Sequence, residues 1–346
     1  MRYRSPNYCK ARTGARLTRN PLLRAINHYQ STTDPGATME WLFPAILLAV
    51  ASRGLFWLGQ ELRGWGRAPR PDWEFSLPRP ILAAHRGGGG VFPENTLEAF
   101  LGSAQRFGCR FMELDVRATR DGVPVVIHDE TVERSTNGTG PVHGLTLAEL
   151  QSLAVRRNPP AADSPDIAVP AEAPRVPALE EVLRALPQCW FSIDVKQGEP
   201  PCEAAVVAVI RRCGMVSRCL VGSSDHALHL RLRRLEPALP SFFSRRSLVL
   251  FTCFVWLGLG RWYRPPHHTL QIPERYRGMR LVTPRLLRNA RTLGLPVLVW
   301  TIDDAADMRR LLDMGVDGII TSRPDRALNL FREMGFESAD DFPRPE

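Results

Sequence analysis

The chain has 346 residues, of which 44% are hydrophobic and 23% charged. That composition excludes global disorder and fits one large α/β domain with an appendage. The formal net charge is +9, and all but two of the 45 basic residues (Lys10 and Lys196) are arginines. Such a balance points to an anionic partner, and nucleic acid is set aside because no zinc-ligand spacing or aromatic nucleotide-binding motif is present. Seven cysteines without a C-x-x-C pair suggest neither a disulfide framework nor a zinc site.

Residues 1–39 are polar and basic, with seven Lys/Arg against Asp34, and are expected to be disordered. The run Trp41–Gly59 carries one charge, Arg53. As a helix it would cover about the thickness of a bilayer core. A transmembrane anchor within 40–60 is expected, with an interfacial helix or a signal segment as alternatives, and the protein is placed at a membrane as a single-pass chain. Residues 61–80, rich in Arg, Pro and Gly, read as a linker, and 331–346 as a C-terminal tail.

From residue 81 short apolar runs alternate with helical stretches. Strands are expected at 81–87, 111–116, 190–196, 219–224, 239–244, 278–282, 296–302 and 315–321. The helices between them, such as NTLEAFLGSAQRFG and TPRLLRNARTLG, carry apolar residues at i, i+3 and i+4 and end near Gly or Pro. Eight such units predict a (β/α)8 TIM barrel over 81–330. The alternative, a doubly wound sheet, needs a phosphate turn that HRGGGG does not match.

The extra run VPVVIHD (123–129) follows its neighbour too closely for a parallel crossover. Asp121-Gly122 signals a hairpin. A two-residue turn there would set Asp115 opposite His128. A further apolar stretch, 247–260, is too short to span a bilayer. It reads either as a buried helix or as a lipid-contacting element, with Phe251, Phe254 and Trp256 expected to face lipid.

Barrel active sites lie at the strand ends. Those ends carry His85, Arg86, Glu113, Asp115, His128, Asp194, Lys196 and Trp300. Residues two apart on a strand share a face, so Glu113 pairs with Asp115 and Asp194 with Lys196. Three converging carboxylates are costly to bury unless a cation intervenes. With no cysteine or histidine cluster beside them, they suggest one hard divalent ion, Mg²⁺ or Ca²⁺; salt bridges to arginine are the alternative. His85 and His128 suit a general acid–base pair, and Arg86 and Lys196 offer charge to a phosphate. His143, His226, His229, His267 and His268 are assigned no role.

HRGGGGVFPENTLEAF, ELDVRATRDGVPVVIHDETVERSTNGTG, VPALEEVL, SIDVK, VLVWTID and GVDGIITSRP, in that order, resemble the glycerophosphodiester phosphodiesterase family. The resemblance implies a phospholipase C-like barrel and catalytic roles for His85 and His128. It implies phosphate binding by Arg86, with Lys196 and Trp300 lining the site. Metal binding falls to Glu113, Asp115 and Asp194, the last standing where the family commonly has Glu. Asn95, in PENT, is expected to hold the first loop. The implied reaction is metal-assisted phosphodiester cleavage, with a glycerol 2-hydroxyl or water attacking. The stretch from 241 to 276 is similar to members acting as lysophospholipase D, so a lysophospholipid at the bilayer is the expected substrate. A water-soluble glycerophosphodiester is the alternative, and an inactive lipid-binding barrel a lesser one.

Overall fold

In a computed structural model, the structure of the protein describes residues 59, 77, 79–157, 163, 165 and 173–336. Strand β1 (Ile81–His85) pairs in parallel with β2 (Phe111–Ala118) on one side and β10 (Gly318–Thr321) on the other. The sheet continues from β2 to β4 (Trp190–Val195) and β5 (Cys219–Gly222), and from β10 to β9 (Val297–Trp300) and β6 (Leu270–Pro273). Between its ends lies the segment 239–243. Pro240 O accepts from Val221 N at 2.8 Å, and Phe242 bridges Thr269 in parallel. This segment takes the eighth position and closes the ring, as the expected barrel requires.

Period-two alternation decides what faces inward. Ile81, Ala83, Phe111, Trp190, Leu220, Phe242, Leu298 and Ile320 form one buried cluster in the barrel interior. The intervening residues, such as Met112, Leu114 and Ile193, face outward into the layer between strands and helices. The helices that cover the strands begin where the sequence signals them. For α1 (Leu97–Phe107) the Thr96 side chain accepts from Ala99 N, and Gly108 closes it in the left-handed conformation at φ 64°.

Two strand expectations are corrected. The stretch 278–282 is not a barrel strand. Within it, β8 (Met279–Arg280) pairs antiparallel with β7 (Arg275–Tyr276) in a separate arm. The barrel position belongs to β6, where Leu270 and Ile272 are wholly buried while Met279 is 51% exposed. Both runs are short and apolar, so composition alone does not separate them; burial does. In the hairpin, β3 (Pro124–Val126) pairs with β2 as Val116↔Val126, one residue out of the expected register. Thr119 N donates to Val123 O, leaving the three-residue loop 120–122. Gly122 at φ 79° supplies the left-handed residue that such a loop needs.

The 247–260 stretch forms most of helix α6 (Arg245–Trp256), capped by Ser244, whose side chain accepts from Ser247 N. Its Phe251 is wholly buried and packs on Tyr263 and Phe243. Phe251 is therefore core, not a lipid contact. Phe254 is half-buried and meets Tyr263 edge-on, and only Trp256, 62% exposed, faces outward.

The membrane placement expected from the sequence is likewise corrected. Among the described residues no helix is long and apolar enough to cross a membrane. The longest, α6, has 12 residues, or about 18 Å against about 30 Å of hydrocarbon. The segment Trp41–Gly59 lies outside the described residues apart from Gly59, as do 1–39, most of 61–80 and 337–346.

Candidate active site

The inward-facing rows turn polar at their carboxyl ends. Phe111 is followed two and four residues on by Glu113 and Asp115, Trp190 by Ser192, Asp194 and Lys196, and Ala83 by His85. Strand pairing then sets His85 beside Glu113 and Asp115 beside Asp194. His128, just past β3, returns to the same level. One cavity of about 620 Å³ is lined by all eight residues expected from the sequence: His85, Arg86, Glu113, Asp115, His128, Asp194, Lys196 and Trp300.

Arg86 sits at φ 52°, a left-handed turn that ends β1 and folds the glycine loop back over the barrel. Gly88, at φ 84°, lies where a Cβ would come within 2.8 Å of Ser103 Oγ, so no larger residue fits there unless Ser103 shifts. The Arg86 backbone N–H donates to Glu113 Oε2 at 3.1 Å, and its guanidinium reaches Asp115 and Glu94 at 3.2 and 3.1 Å. Lys196 Nζ lies 2.6 Å from Asp194 Oδ2 and 3.1 Å from Asp115 Oδ1.

Burial pushes the Glu113 carboxyl well up, and neighbouring Asp115 adds to this. Burial, aided by Asp115, also raises Asp194 despite the Lys196 ammonium. For Asp115 burial acts upward too, but Lys196 and Arg86 outweigh it and hold the group below its usual range. His85 is lowered to about 4, first by burial and then by Arg86. Its Nδ1 lies 2.9 Å from Ser322 Oγ, and its Nε2 is 3.9 Å from Glu113. His128 Nδ1 lies 2.6 Å from Asp129 Oδ1. Arg134 pairs with Asp129 and, at 2.6 Å, with Glu94.

Glu113, Asp115 and Asp194 provide hard oxygen donors, and Asp194 Oδ1 is buried without a hydrogen-bond partner. Those features suit a divalent cation. As they stand, Lys196 and Arg86 neutralise the same carboxylates. Among the described residues no three such side chains are arranged to grip one ion.

Several contributors escape the sequence reading. Asn95 does hold the first loop, its N–H donating to Arg86 O at 2.9 Å. It also reaches into the site, its Nδ2 donating to Asp115 at 3.1 Å. Ser192 Oγ donates to Gln271 Oε1 at 2.8 Å, and both line the cavity. Inward parity would have flagged Ser192 on β4, as well as Ser322 two residues past Ile320 on β10. Gln271 has no such signal, because the sequence expectation places the barrel strand at 278–282 instead of Leu270–Pro273. The cavity also has an apolar side, of which the sequence indicates the 247–260 part, through Trp256, but not the arm. That side is built by Leu248, Val249 and Trp256 from α6 and by Tyr276 and Met279 from the arm.

Residues 85–326 match the model of the glycerophosphoryl diester phosphodiesterase family. A glycerophosphodiester phosphodiesterase of Caldanaerobacter subterraneus subsp. tengcongensis is 32% identical over 265 residues, covering 74% of this chain and 100% of its own. One from Bacillus altitudinis is 30% identical over 263 residues, covering 73% and 98%. The human lysophospholipase D GDPD1 is 23% identical over 270 residues, covering 70% and 83%. The crystal structure of glycerophosphodiester phosphodiesterase from Agrobacterium tumefaciens superposes with a TM-score of 0.57 at 26% identity, covering 73% of this chain and 99% of that one. Strand-end chemistry, barrel closure and these likenesses agree, and the chain belongs to the glycerophosphoryl diester phosphodiesterase family of phosphoric diester hydrolases.

Proposed function

We propose that the enzyme cleaves glycerophosphodiesters that carry an aliphatic chain, acting as a lysophospholipase D. It would release the head-group alcohol and leave lysophosphatidic acid. The observation that carries this reading is the composition of the cavity. Its charged floor runs on into an apolar wall whose Val249, Trp256, Tyr276 and Met279 are 58%, 62%, 41% and 51% exposed. A water-soluble glycerophosphodiester has no use for such a wall. An acyl chain laid along it would gain about 25 cal/mol for each Å² of apolar surface removed from water. The likeness to human lysophospholipase D GDPD1 supports the same reading.

At the charged floor, Arg86 and Lys196 face the phosphate and balance the charge that grows on its oxygens in the transition state. Of His85 and His128, one takes the proton of the attacking oxygen and the other gives a proton to the departing alkoxide. The attacking oxygen is that of water or of the glycerol 2-hydroxyl, whose cyclic phosphate water then opens. Glu113, Asp115 and Asp194 would hold one divalent cation, Mg²⁺ or Ca²⁺. Such an ion, when bound, polarises a non-bridging phosphate oxygen.

Hydrolysis rates on lysophosphatidylcholine and glycerophosphocholine test the reading. A kcat/KM at least tenfold higher on the lysophospholipid is expected. Replacing Val249 and Trp256 together with Ser should remove that preference while leaving glycerophosphocholine hydrolysis within twofold. Equal rates on both substrates in the unaltered enzyme would leave the family activity in place and refute the lipid preference.

A further inference from the structure

Three neighbouring strand ends meet at one serine. Ser322 follows β10. Its backbone N–H donates to Asp303 Oδ1 at 2.7 Å, and the preceding Thr321 hydroxyl donates to the same oxygen at 2.9 Å. Asp303 lies just beyond β9, so its carboxylate fixes the turn after β10. On the other side, Gly90 N donates to Ser322 O at 2.9 Å, which ties the glycine loop after β1 to the same residue. A Cβ on Gly90 would stand 2.8 Å from Ser322 O, so this backbone approach depends on glycine. With its backbone held from both sides, Ser322 places its Oγ 2.9 Å from His85 Nδ1.

We infer that Ser322 is a positioning residue for the reaction. Its hydroxyl accepts from His85 Nδ1–H and so holds the imidazole with Nε2 presented to the cavity. This inference rests on the reading of His85 as a proton-transfer group. A hydroxyl suits the task in both protonation states of the ring. When Nε2 is bare, Nδ1 carries the hydrogen and donates it to Oγ. When Nε2 holds a proton, Nδ1–H still donates to the same oxygen. The imidazole therefore gains and loses its proton at Nε2 without turning. Without the hydroxyl, Nδ1 loses its anchor and the ring is free to rotate, which turns Nε2 away from the cavity. The contact partners of the two histidines differ, since His128 rests on a carboxylate and His85 on a neutral hydroxyl.

The test uses the full chain with glycerophosphocholine, which has no acyl chain to lay along the apolar wall. Ser322→Ala is expected to lower kcat about 10- to 100-fold with KM within about twofold. Ser322→Thr, which keeps the hydroxyl, should recover most of the loss. In a double-mutant cycle, Ser322→Ala should add less than about twofold to the loss already caused by His85→Ala, because the serine acts only through that ring. A kcat within twofold of the parent in Ser322→Ala overturns the proposal. So does a loss that Thr does not rescue, or one that persists in full on the His85→Ala background. If His85→Ala itself leaves kcat unchanged, the reading of His85 falls first, and the cycle identifies that outcome separately.

Discussion

Asp194 presents one carboxylate oxygen to Lys196 at 2.6 Å and leaves the other buried without a partner. A bound cation would satisfy that oxygen, so the residue-scale test of metal dependence belongs here. Chelation with EDTA is expected to abolish turnover, and Mg²⁺ or Ca²⁺ to restore it. Asp194→Asn should raise the ion concentration needed for half-recovery by at least tenfold, since it removes an anionic ligand. Full activity of the parent enzyme in chelator would leave the three acids as salt-bridge partners of Arg86 and Lys196. For the proton carriers, His85→Ala and His128→Ala should each lower kcat by about 10²- to 10⁴-fold. Both side chains line an open cavity, so thermal melts should stay close to those of the parent. Near-normal turnover in either variant would remove that histidine from the chemistry.

At the scale of elements, α6 does two jobs with two faces. Its inner face buries Ser247, Phe251 and Val255, while Val249, Cys253 and Trp256 are turned to the cavity. The two faces predict opposite phenotypes. Phe251→Ala should destabilise the fold by about 3–5 kcal/mol, because it empties a packed site among Phe243 and Tyr263. It should impair both substrates alike, as a denaturant titration beside the assays would show. Cys253 offers a direct footprint of the outer face, because it is an exposed free thiol in the cavity wall. Its alkylation by a maleimide should slow several-fold in the presence of a non-hydrolysable lysophospholipid analogue and stay unchanged with glycerophosphocholine. Unaltered labelling in both cases would place the aliphatic chain elsewhere.

For the molecule as a whole, barrel closure and acid tolerance share a region. The closing segment 239–243 carries Ser241, whose Oγ lies 3.2 Å from His267 Nδ1, and His267 Nε2 lies 3.0 Å from Ser247 Oγ on α6. The His229 ring stands edge-on to His267, 4.9 Å between centroids, and is wholly buried with neither nitrogen hydrogen-bonded. Burial, then Arg233, lowers His229 to about 3 from the model-peptide 6.5. Between those values the unfolded chain binds a proton that the folded chain refuses. Stability is therefore full above pH 6.5 and lost as pH falls toward 3, at about 1.4 kcal/mol per unit for this group. Urea unfolding at pH 7 and pH 5 should show a drop of at least about 2 kcal/mol. His229→Leu, which keeps apolar packing, should reduce that drop. An identical drop in the variant would assign the acid sensitivity to other groups.

The sequence by itself determined the barrel and the charged floor of its site. The reason is periodicity. Alternation along β2 and β4 commits Glu113, Asp115, Asp194 and Lys196 to one face. Capping signals such as Thr96 and Gly108 bound the helices between strands, and strand ends are where a barrel assembles its chemistry. Tertiary structure alone decided where period and propensity were ambiguous. Two short apolar runs, 270–273 and 278–282, compete for one barrel position, and only burial of Leu270 and Ile272 selects the first. The hairpin register turned on whether its loop held two residues or three, a choice made by the pairing of Val116 with Val126. The hydrogen bond between His85 and Ser322 joins residues 237 apart in the chain. No local pattern encodes such a contact. It exists because the closed ring sets β10 beside β1.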